Sequence, residues 1–144
     1  MTNVLIINKS NNPLPNYATK GSSGLDLYAF LDNEITIEPM QRVLIPTGIY
    51  IQLDENYEAQ IRPRSGLACK HGITVLNTPG TIDSDYRGEI KICLINLGDK
   101  PFVIKNGDKI AQMIISEYVK VNLVVTDKLE ETQRNSGGFG STGI

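Results

Sequence analysis

Residues 77–91 (NTPGTIDSDYRGEIK) hold the residue types that most clearly carry chemistry in this chain of 144 residues. Within one turn-rich segment lie two carboxylates, Asp83 and Asp85, the guanidinium of Arg87 and the ring of Tyr86. A connecting loop needs glycine, proline and asparagine, whereas neighbouring carboxylates repel each other unless a ligand or metal offsets the repulsion. The segment therefore indicates a functional site.

The tail at residues 134–143 has the donors of an anion-binding loop. Its glycines allow consecutive backbone N–H groups to converge on an anion, while Arg134 supplies a fork-shaped cation and Ser141 and Thr142 add hydroxyl groups. The tail is not a Walker A loop, because it has no Gly-Lys-Ser/Thr ending. Composition alone favours a flexible Gly/Ser linker, but a linker has no use for a lone aromatic such as Phe139.

Three further segments carry isolated polar residues in predicted strands or turns. Arg64, Ser65 and Gly66 open the one helix-like turn, where unpaired N–H groups could bind phosphate. The alternative, favoured for this segment alone, is an ordinary turn with Ser65 as the N-cap. Asp26 interrupts an alternating run, which predicts either a buried carboxylate paired with an arginine or a direct ligand contact. Gln112, in a strand entered from a turn, looks locally like a surface residue.

Composition narrows the chemistry further. His71 is the only histidine, so a His-rich zinc site is excluded, and we interpret it as a loop or capping residue. Cys69 and Cys93 lie in no metal-ligand spacing and are expected to be free thiols in a reducing cytoplasm. The net charge of -2 and pI of 5.4 argue against nonspecific nucleic acid binding, whereas arginines clustered near these segments suit a small polyanion. We expect no membrane span, because no apolar run approaches roughly 20 residues, and no secretion signal.

Short apolar runs separated by glycine and proline must position these groups. The predicted strands are 4–8, 35–37, 42–45, 49–53, 58–62, 73–76, 90–97, 102–104, 110–115 and 119–125. Helical periodicity is weak except in one short turn at 66–70, so the pattern predicts a single-domain all-β sandwich or barrel. Residues 77–91 would then form a loop or hairpin between strands, and residues from 127 onward a mobile, Gly-rich tail.

Five ordered segments (23–29, 63–68, 77–91, 107–113 and 134–143) resemble the five motifs of the trimeric dUTPase family. The resemblance implies a jelly-roll-type β-barrel over residues 1–126 and a homotrimer. Each active site would lie at a subunit junction and be closed by residues 127–144 of a neighbour. The implied reaction is hydrolysis of dUTP to dUMP and pyrophosphate with Mg²⁺ on the triphosphate, which limits uracil incorporation into DNA and supplies dUMP for dTMP synthesis.

The resemblance also implies roles for individual residues. Asp83 matches the carboxylate that deprotonates the attacking water, and Gln112 matches the amide that holds that water or the α-phosphate. Tyr86 matches the ring that packs on deoxyribose and leaves no space for a 2′-hydroxyl. The groups expected to read uracil are Asn77, the backbone of Thr81, Ile82 and Asp83, and Lys91.

The second and fifth motifs imply contacts with the phosphates and the base. The phosphate contacts are Arg64, Ser65, Gly66, Arg134, Gly140, Ser141 and Thr142, and the ring stacked on uracil is Phe139. Asp26 is implied to support the site through a motif arginine or a magnesium-bound water, with no direct protein ligand to the metal. Asp85 and Arg87 are interpreted as a structural pair, which could lie at the subunit junction, rather than as catalysts.

Three positions depart from the family pattern, and two alternative functions stay open. Lys109 stands where arginine is usual, Asn135 where glycine is usual and Ser23 where alanine is usual; asparagine tolerates a left-handed backbone, so the tail loop is expected to survive. A dCTP deaminase on the same fold would by resemblance need a glutamate near the third motif and lack the Asp-Tyr-Arg-Gly sequence. A nucleotide-sensing protein would lose the water-activating carboxylate, but Asp83 is present.

Overall fold

The computed structural model describes residues 3–141, in which twelve strands and one short helix are present. The elements are β1 (Leu5–Asn8), β2 (Asn16–Tyr17), β3 (Leu25–Tyr28), β4 (Ile35–Ile37), β5 (Arg42–Pro46), β6 (Ile49–Gln52), β7 (Tyr57–Arg62), α1 (Ser65–His71), β8 (Ile73–Val75), β9 (Gly80–Ile82), β10 (Lys91–Asn96), β11 (Phe102–Ile104) and β12 (Lys109–Glu117). Over this part of the chain, α1 is far too short to cross a bilayer.

The strands form four antiparallel sheets. The largest has the order β2-β3-β12-β7-β9, and the others are β5-β10-β8, β1-β6 and β11-β4. Most partners are distant in sequence, as when β12 pairs with both β3 and β7. The predicted all-β, jelly-roll-type fold with one short helix is confirmed.

All four sheets contribute to one hydrophobic core. Alternation along the strands turns one set of side chains inward, as in β10, where Ile92 and Leu94 are buried. The core residues from the different strands include Leu27, Ile37, Ile45, Ile51, Ile61, Val75, Leu94, Ile104 and Met113. A single core of this kind provides a rigid frame for the loops at its surface.

The helix α1 connects β7 to β8 and ends at a glycine that its surroundings require. Gly72 has φ of +69°, donates its N–H to the carbonyl of Ala68 at 3.0 Å, and would place a Cβ only 2.4 Å from the backbone nitrogen of Gly98. At the other end, Arg64 is the N-cap and no side chain caps the helix. The interpretation of Ser65 as the N-cap is therefore wrong.

The strand predicted at 119–125 is also wrong for this chain. Residues 118–126 have no regular structure, and the apolar side chains at 119–125 are exposed, with Val125 99% exposed. The last backbone hydrogen bond from this region to the β-sheet domain runs from the N–H of Tyr118 to the carbonyl of Asn56 at 2.9 Å. A strand needs a partner edge, and the described part of the chain supplies none for this segment.

Candidate active site

Asp26 lies at the centre of a charged cluster where β3 meets β12. Only 8% of its surface is exposed. One carboxylate oxygen lies 2.7 Å from Nζ of Lys109, and the other lies 3.4 Å from Nε of Arg64. Arg64 also donates from Nη1 to the backbone carbonyl of Lys109 at 3.0 Å. The predicted pairing of Asp26 with an arginine is confirmed, and two cations on one carboxylate leave positive charge for an anionic ligand.

A β-bulge in β12 brings Lys109 into this cluster. The register shifts between Lys109 and Ala111, so that Lys109 lies opposite Tyr28. Tyr28 and Asp26 are two residues apart in β3 and share a face, which places Lys109 beside Asp26. The hydrogen bond to Asp26, reinforced by its negative charge, raises the pKa of Lys109 above its ordinary value of 10.5. Lysine at this position therefore keeps its charge and its contact with Asp26.

Gln112 lies opposite Asp26 in β3 and opposite Arg62 in β7. Its Nε2 donates to the carbonyl of Pro63 at 3.0 Å. On its other side is Gly24, where a Cβ would lie only 2.3 Å from Oε1 of Gln112. The carboxamide is thus held between two backbone segments, unlike an ordinary surface residue. The part played by Gly24 was not predicted from sequence, although a glycine directly before the strand of Asp26 was a signal of close approach.

The first turn of α1 lies next to the charged cluster. Arg64 joins the two, and Ser65 and Gly66 follow it as exposed residues. The first helical hydrogen bond runs from the N–H of Ala68 to the carbonyl of Arg64 at 3.1 Å, so the N–H groups before Ala68 have no partner inside the helix. The first, second and fourth motifs (23–29, 63–68 and 107–113) therefore meet around the cluster centred on Asp26.

Residues 77–91 lie between β8 and β10, which pair with each other. The expected loop on a rigid sheet is thus present, but β9 lies within it and pairs with β7. Glycine at the start of β9 is a poor strand former, which explains why this strand was not predicted. The side chain of Asn77 lies against Gly80, where a Cβ would be 3.1 Å from Nδ2. Thr81 and Asp83 are exposed and Ile82 is half-buried.

The loop that follows β9 is folded by its own hydrogen bonds. The N–H of Tyr86 donates to the carbonyl of Asp83 at 3.1 Å and closes a turn. Oη of Tyr86 donates to the carbonyl of Glu89 at 3.0 Å. Glu89 in turn lies 3.8 Å from Nζ of Lys91, the first residue of β10. The loop therefore has a defined shape before any ligand binds.

Arg87 binds backbone rather than a carboxylate. Its Nη1 donates to the carbonyl of Ser84 at 2.7 Å and to that of Tyr86 at 3.0 Å. Within one chain, residues 3–141 contain no ion pair between Asp85 and Arg87, so their interpretation as a structural pair at the subunit junction stays a prediction. The guanidinium instead fastens the turn that carries Tyr86.

The tail forms local turns outside the four sheets. Thr132 and Asn135 exchange two hydrogen bonds, from the N–H of Thr132 to Oδ1 at 2.8 Å and from the N–H of Asn135 to Oγ1 at 3.0 Å. Asn135 has φ of +41°, in the left-handed region, as expected from its tolerance of that conformation. Along the described part of the tail, residues 126–141, the hydrogen bonds stay within the tail itself.

Up to Ser141, the predicted ligand groups of the tail make no hydrogen bond to the other motifs. Nε of Arg134 donates to the carbonyl of Gly137 at 2.8 Å, so the guanidinium is folded back onto its own turn. Four residues of the tail that are predicted to contact the nucleotide are exposed: Arg134, Phe139, Gly140 and Ser141. The fifth, Thr142, lies outside the described residues.

Asp83 and Gln112 are far apart within one chain. Gln112 lies opposite Arg62 of β7, whereas Asp83 follows Ile82, which lies opposite Ala59 of the same strand. Along the strand direction, Asp83 is thus displaced from Gln112 by about four residues, or about 13 Å. Across the sheet, it lies two strands away, or about 10 Å. The resulting separation of about 16 Å is too large for both side chains to hold one water molecule.

The fold and the site define a jelly-roll-type protein that presents a cationic surface to a small phosphorylated ligand. The dUTPase family model matches residues 10–143. The deoxyuridine 5'-triphosphate nucleotidohydrolase of Finegoldia magna is 60% identical over 140 residues, covering 97% of this chain and 98% of the relative. The enzyme of the same name from Cytophaga hutchinsonii is 54% identical over 142 residues, covering 99% and 92%. The chain therefore belongs to the dUTPase family, as its motifs predict.

Solved structures support the fold. The Staphylococcus bacteriophage 80alpha dUTPase with dUpNHpp has a TM-score of 0.90 over 100% of both chains at 21% identity. A mutant of the dUTPase from phage phi11 of S. aureus, described with a structural Mg(II) ion, has a TM-score of 0.80 over 90% of this chain and 99% of the other at 20% identity. Both are dUTPases, and at these identities the likeness establishes the architecture.

Proposed function

We propose that this protein hydrolyses dUTP to dUMP and pyrophosphate. The observation that carries the proposal is the 60% identity, over nearly the full length of both chains, with a deoxyuridine 5'-triphosphate nucleotidohydrolase. The cationic surface at Arg64 and Lys109, next to the fixed carboxamide of Gln112, suits a triphosphate. By removing dUTP and forming dUMP, the protein would limit uracil incorporation into DNA and supply the precursor of dTMP.

The reaction is an in-line attack of water on the α-phosphorus. Asp83 accepts a proton from the water, and Gln112 orients the water or the α-phosphate. The new bond joins the water oxygen to phosphorus, while the bond from phosphorus to the bridging oxygen breaks and its electron pair leaves with pyrophosphate. Arg64 and Lys109 offset the negative charge that develops on this leaving group. Ser65 and Gly66 add donors at the start of α1.

Magnesium is the implied cofactor, and the available side chains fit a metal that is held mainly by the substrate. Residues 3–141 contain no cluster of three or more His, Cys, Asp or Glu side chains placed to bind a metal. Both oxygens of Asp26 already face cations, so this residue would reach the metal only through water. Mg²⁺ commonly binds substrate phosphates and water with few protein carboxylates, and it would supply charge neutralisation of the triphosphate.

The nucleoside contacts follow the family pattern. Tyr86 packs on the deoxyribose and excludes a 2′-hydroxyl. The uracil is read by Asn77, by the backbone of Thr81, Ile82 and Asp83, and by Lys91. The supporting observation is that the loop carrying these groups is closed by its own hydrogen bonds and anchored between two paired strands. Backbone groups held in this way can require a carbonyl at the position where cytosine has an amino group.

A homotrimer with shared active sites is the assembly that the geometry supports. The separation of about 16 Å between Asp83 and Gln112 would be resolved if each came from a different subunit. Exposed apolar residues also need cover: Leu44 and Leu76 flank Cys93 on the outer face of the β5-β10-β8 sheet. The apolar segment at 119–125 is exposed as well. Surfaces of this kind mark contacts with other chains.

The tail, residues 127–144, would close the site of a neighbouring subunit. Its described part makes no hydrogen bond to its own barrel, which leaves it free to dock elsewhere. The groups it would bring to the nucleotide are Arg134 at the γ-phosphate, Phe139 on the uracil, and Gly140, Ser141 and Thr142 at the phosphates. Docking would exclude bulk water from the reaction. We place the protein in the cytoplasm, in keeping with its free thiols at Cys69 and Cys93.

A substrate comparison tests the reaction. Pyrophosphate release would be measured with dUTP, dCTP, dTTP and UTP at equal concentration, together with ammonia release from dCTP. We expect rapid turnover of dUTP alone. Ammonia release from dCTP would instead identify a deaminase, and absence of dUTP hydrolysis would overturn the proposal.

Mixed trimers test the shared site. Trimers of D83N alone or of Q112A alone are each expected to keep only a small residual rate. Random 1:1 mixing should restore about a quarter of the wild-type rate, because about one junction in four then joins an intact Asp83 to an intact Gln112. A site built within one chain would recover no activity on mixing. Light scattering of each variant would check that the assembly is unchanged.

A further inference from the structure

The Tyr86 ring is held in place although it is 43% exposed. Its Oη donates to the carbonyl of Glu89 at 3.0 Å. The ring also lies directly against Gly88, where a Cβ would be 2.3 Å from Oη, 2.4 Å from Cζ and 2.8 Å from Cε2. Any side chain larger than hydrogen at position 88 would therefore displace the ring. An exposed tyrosine is otherwise free to change rotamer, so these contacts select one orientation.

Glu89, whose carbonyl accepts the hydroxyl of Tyr86, is itself bound to the turn between β5 and β6. Its Oε1 accepts a hydrogen bond from the N–H of Gly48 at 2.9 Å, and its side chain is only 19% exposed. Its Oε2 lies 3.8 Å from Nζ of Lys91. The carboxylate thus links the loop to the turn between β5 and β6.

The turn that receives Glu89 has little freedom to move. Thr47 is 1% exposed and donates from Oγ1 to the carbonyl of Ile90 at 2.6 Å, while the N–H of Ile90 donates to the carbonyl of Ile49 at 2.8 Å. Gly48 has φ of +69°, and a Cβ there would lie 2.8 Å from atoms of Ser10. The carbonyl that accepts the Tyr86 hydroxyl is therefore anchored to the hydrophobic core rather than to a loose loop.

We propose that Glu89 and Gly88 are positioning residues that set the discrimination between deoxyribose and ribose. This inference rests on the proposed function, in which Tyr86 packs on the deoxyribose of dUTP. Specificity depends on the difference in free energy between bound dUTP and bound UTP. A ring that could tilt away would admit the 2′-hydroxyl of UTP at little cost, so it must be held in place to exclude that group. Glu89 fixes the outer end of the ring through its carbonyl, and Gly88 provides the surface on which the ring lies.

The test measures kcat/KM for dUTP and for UTP in the full-length protein. Y86F removes only the hydroxyl that binds the Glu89 carbonyl, and E89A removes the link to Gly48. Each variant should lower the ratio of kcat/KM for dUTP to that for UTP by about threefold to tenfold, which corresponds to one or two modest hydrogen bonds. The ratio should fall mainly because UTP turnover rises. E89Q retains an acceptor for the N–H of Gly48 and should keep the ratio within about twofold.

Two controls make the outcome decisive. E34A removes an exposed glutamate whose contact with Lys105 is 4.0 Å, and it should leave both activities unchanged. G88A should give the largest loss of discrimination, because its methyl group displaces the ring. If E89A does not fold, Y86F and G88A decide the question.

The inference is overturned if folded Y86F and E89A both keep the wild-type ratio, or if dUTP and UTP activities fall in equal proportion, as a merely structural role predicts. Failure of the proposed function would look different, because the wild-type protein would then not hydrolyse dUTP at all.

Discussion

Replacing Gly24 by alanine tests whether Gln112 must be held in one position. The added Cβ would lie 2.3 Å from Oε1 of Gln112 and 3.1 Å from both Cβ and Cδ, whereas ordinary contacts begin at 3.4 Å. The carboxamide therefore has to move by about 1 Å, and its hydrogen bond to the carbonyl of Pro63 is strained or lost. The change adds one methyl group and alters no charge.

The expected magnitudes separate catalysis from stability. Overpacking costs about 1–3 kcal/mol in a well-packed core, and the lower end applies because the nearest atom ends a flexible side chain. Alanine also reduces the entropy of the unfolded chain, which offsets about 0.4–1 kcal/mol. The free energy of unfolding should thus fall by about 1 kcal/mol or less. A displacement of about 1 Å in a positioning group can lower the rate by about 100-fold, so we expect kcat to fall by about 10- to 100-fold.

The assay compares steady-state kcat and KM for dUTP with thermal unfolding in matched variants. G21A is the control, because a Cβ at Gly21 meets no atom within 4 Å. Wild type, G24A, Q112A and the double variant G24A/Q112A together form a double-mutant cycle. With no carboxamide left to displace, the alanine at position 24 should cost little further activity in the Q112A background. A G24A protein whose kcat matches that of G21A, or fully additive losses in the cycle, would refute the reasoning.

Three other variants test the remaining parts of the site. D83N should retain dUTP binding but lose about 100- to 10,000-fold in kcat, as expected for a general base; near wild-type turnover would show that another group activates the water. Removal of residues 134–144 should abolish hydrolysis while light scattering still reports a trimer, and a fully active truncated protein would contradict the closing role of the tail. K109M should lower the melting temperature through loss of the contact with Asp26. Folding raises the pKa of Lys109 above 10.5, its ordinary value in the unfolded chain. The stabilisation by the contact between Lys109 and Asp26 is therefore complete below the unfolded-state pKa and is lost as pH rises through the higher folded-state pKa. The difference in melting temperature from wild type should therefore stay constant between about pH 6 and 9 and shrink above about pH 10.5; a difference that vanishes near neutral pH would contradict this assignment.

Most of the strands could be predicted because their pattern is local. In β7, buried Ala59 and Ile61 alternate with the less buried Glu58, Gln60 and Arg62, as the sequence displays, and glycine or proline marks the ends of many strands. The pattern was insufficient at β9 and at 119–125, for opposite reasons. β9 begins with glycine but finds a partner in β7, whereas the apolar segment after β12 finds none in the described chain. Strand formation depends on the availability of an edge, which is a property of the whole fold.

The sequence by itself determined the chemistry of the site and the family. The order of the five motifs, the carboxylate at Asp83 and the donors of the tail are all visible in the printed residues. Only the tertiary structure decided which of these groups meet. It joins Asp26 to Lys109 through a β-bulge and turns Arg87 onto the backbone. The strand register also places Asp83 about four residues and two strands from Gln112, which corresponds to about 16 Å within one chain. The physical reason is that strand register and bulges are set by pairing between residues distant in the chain, and a change of one residue in register moves a side chain to the opposite face of the sheet.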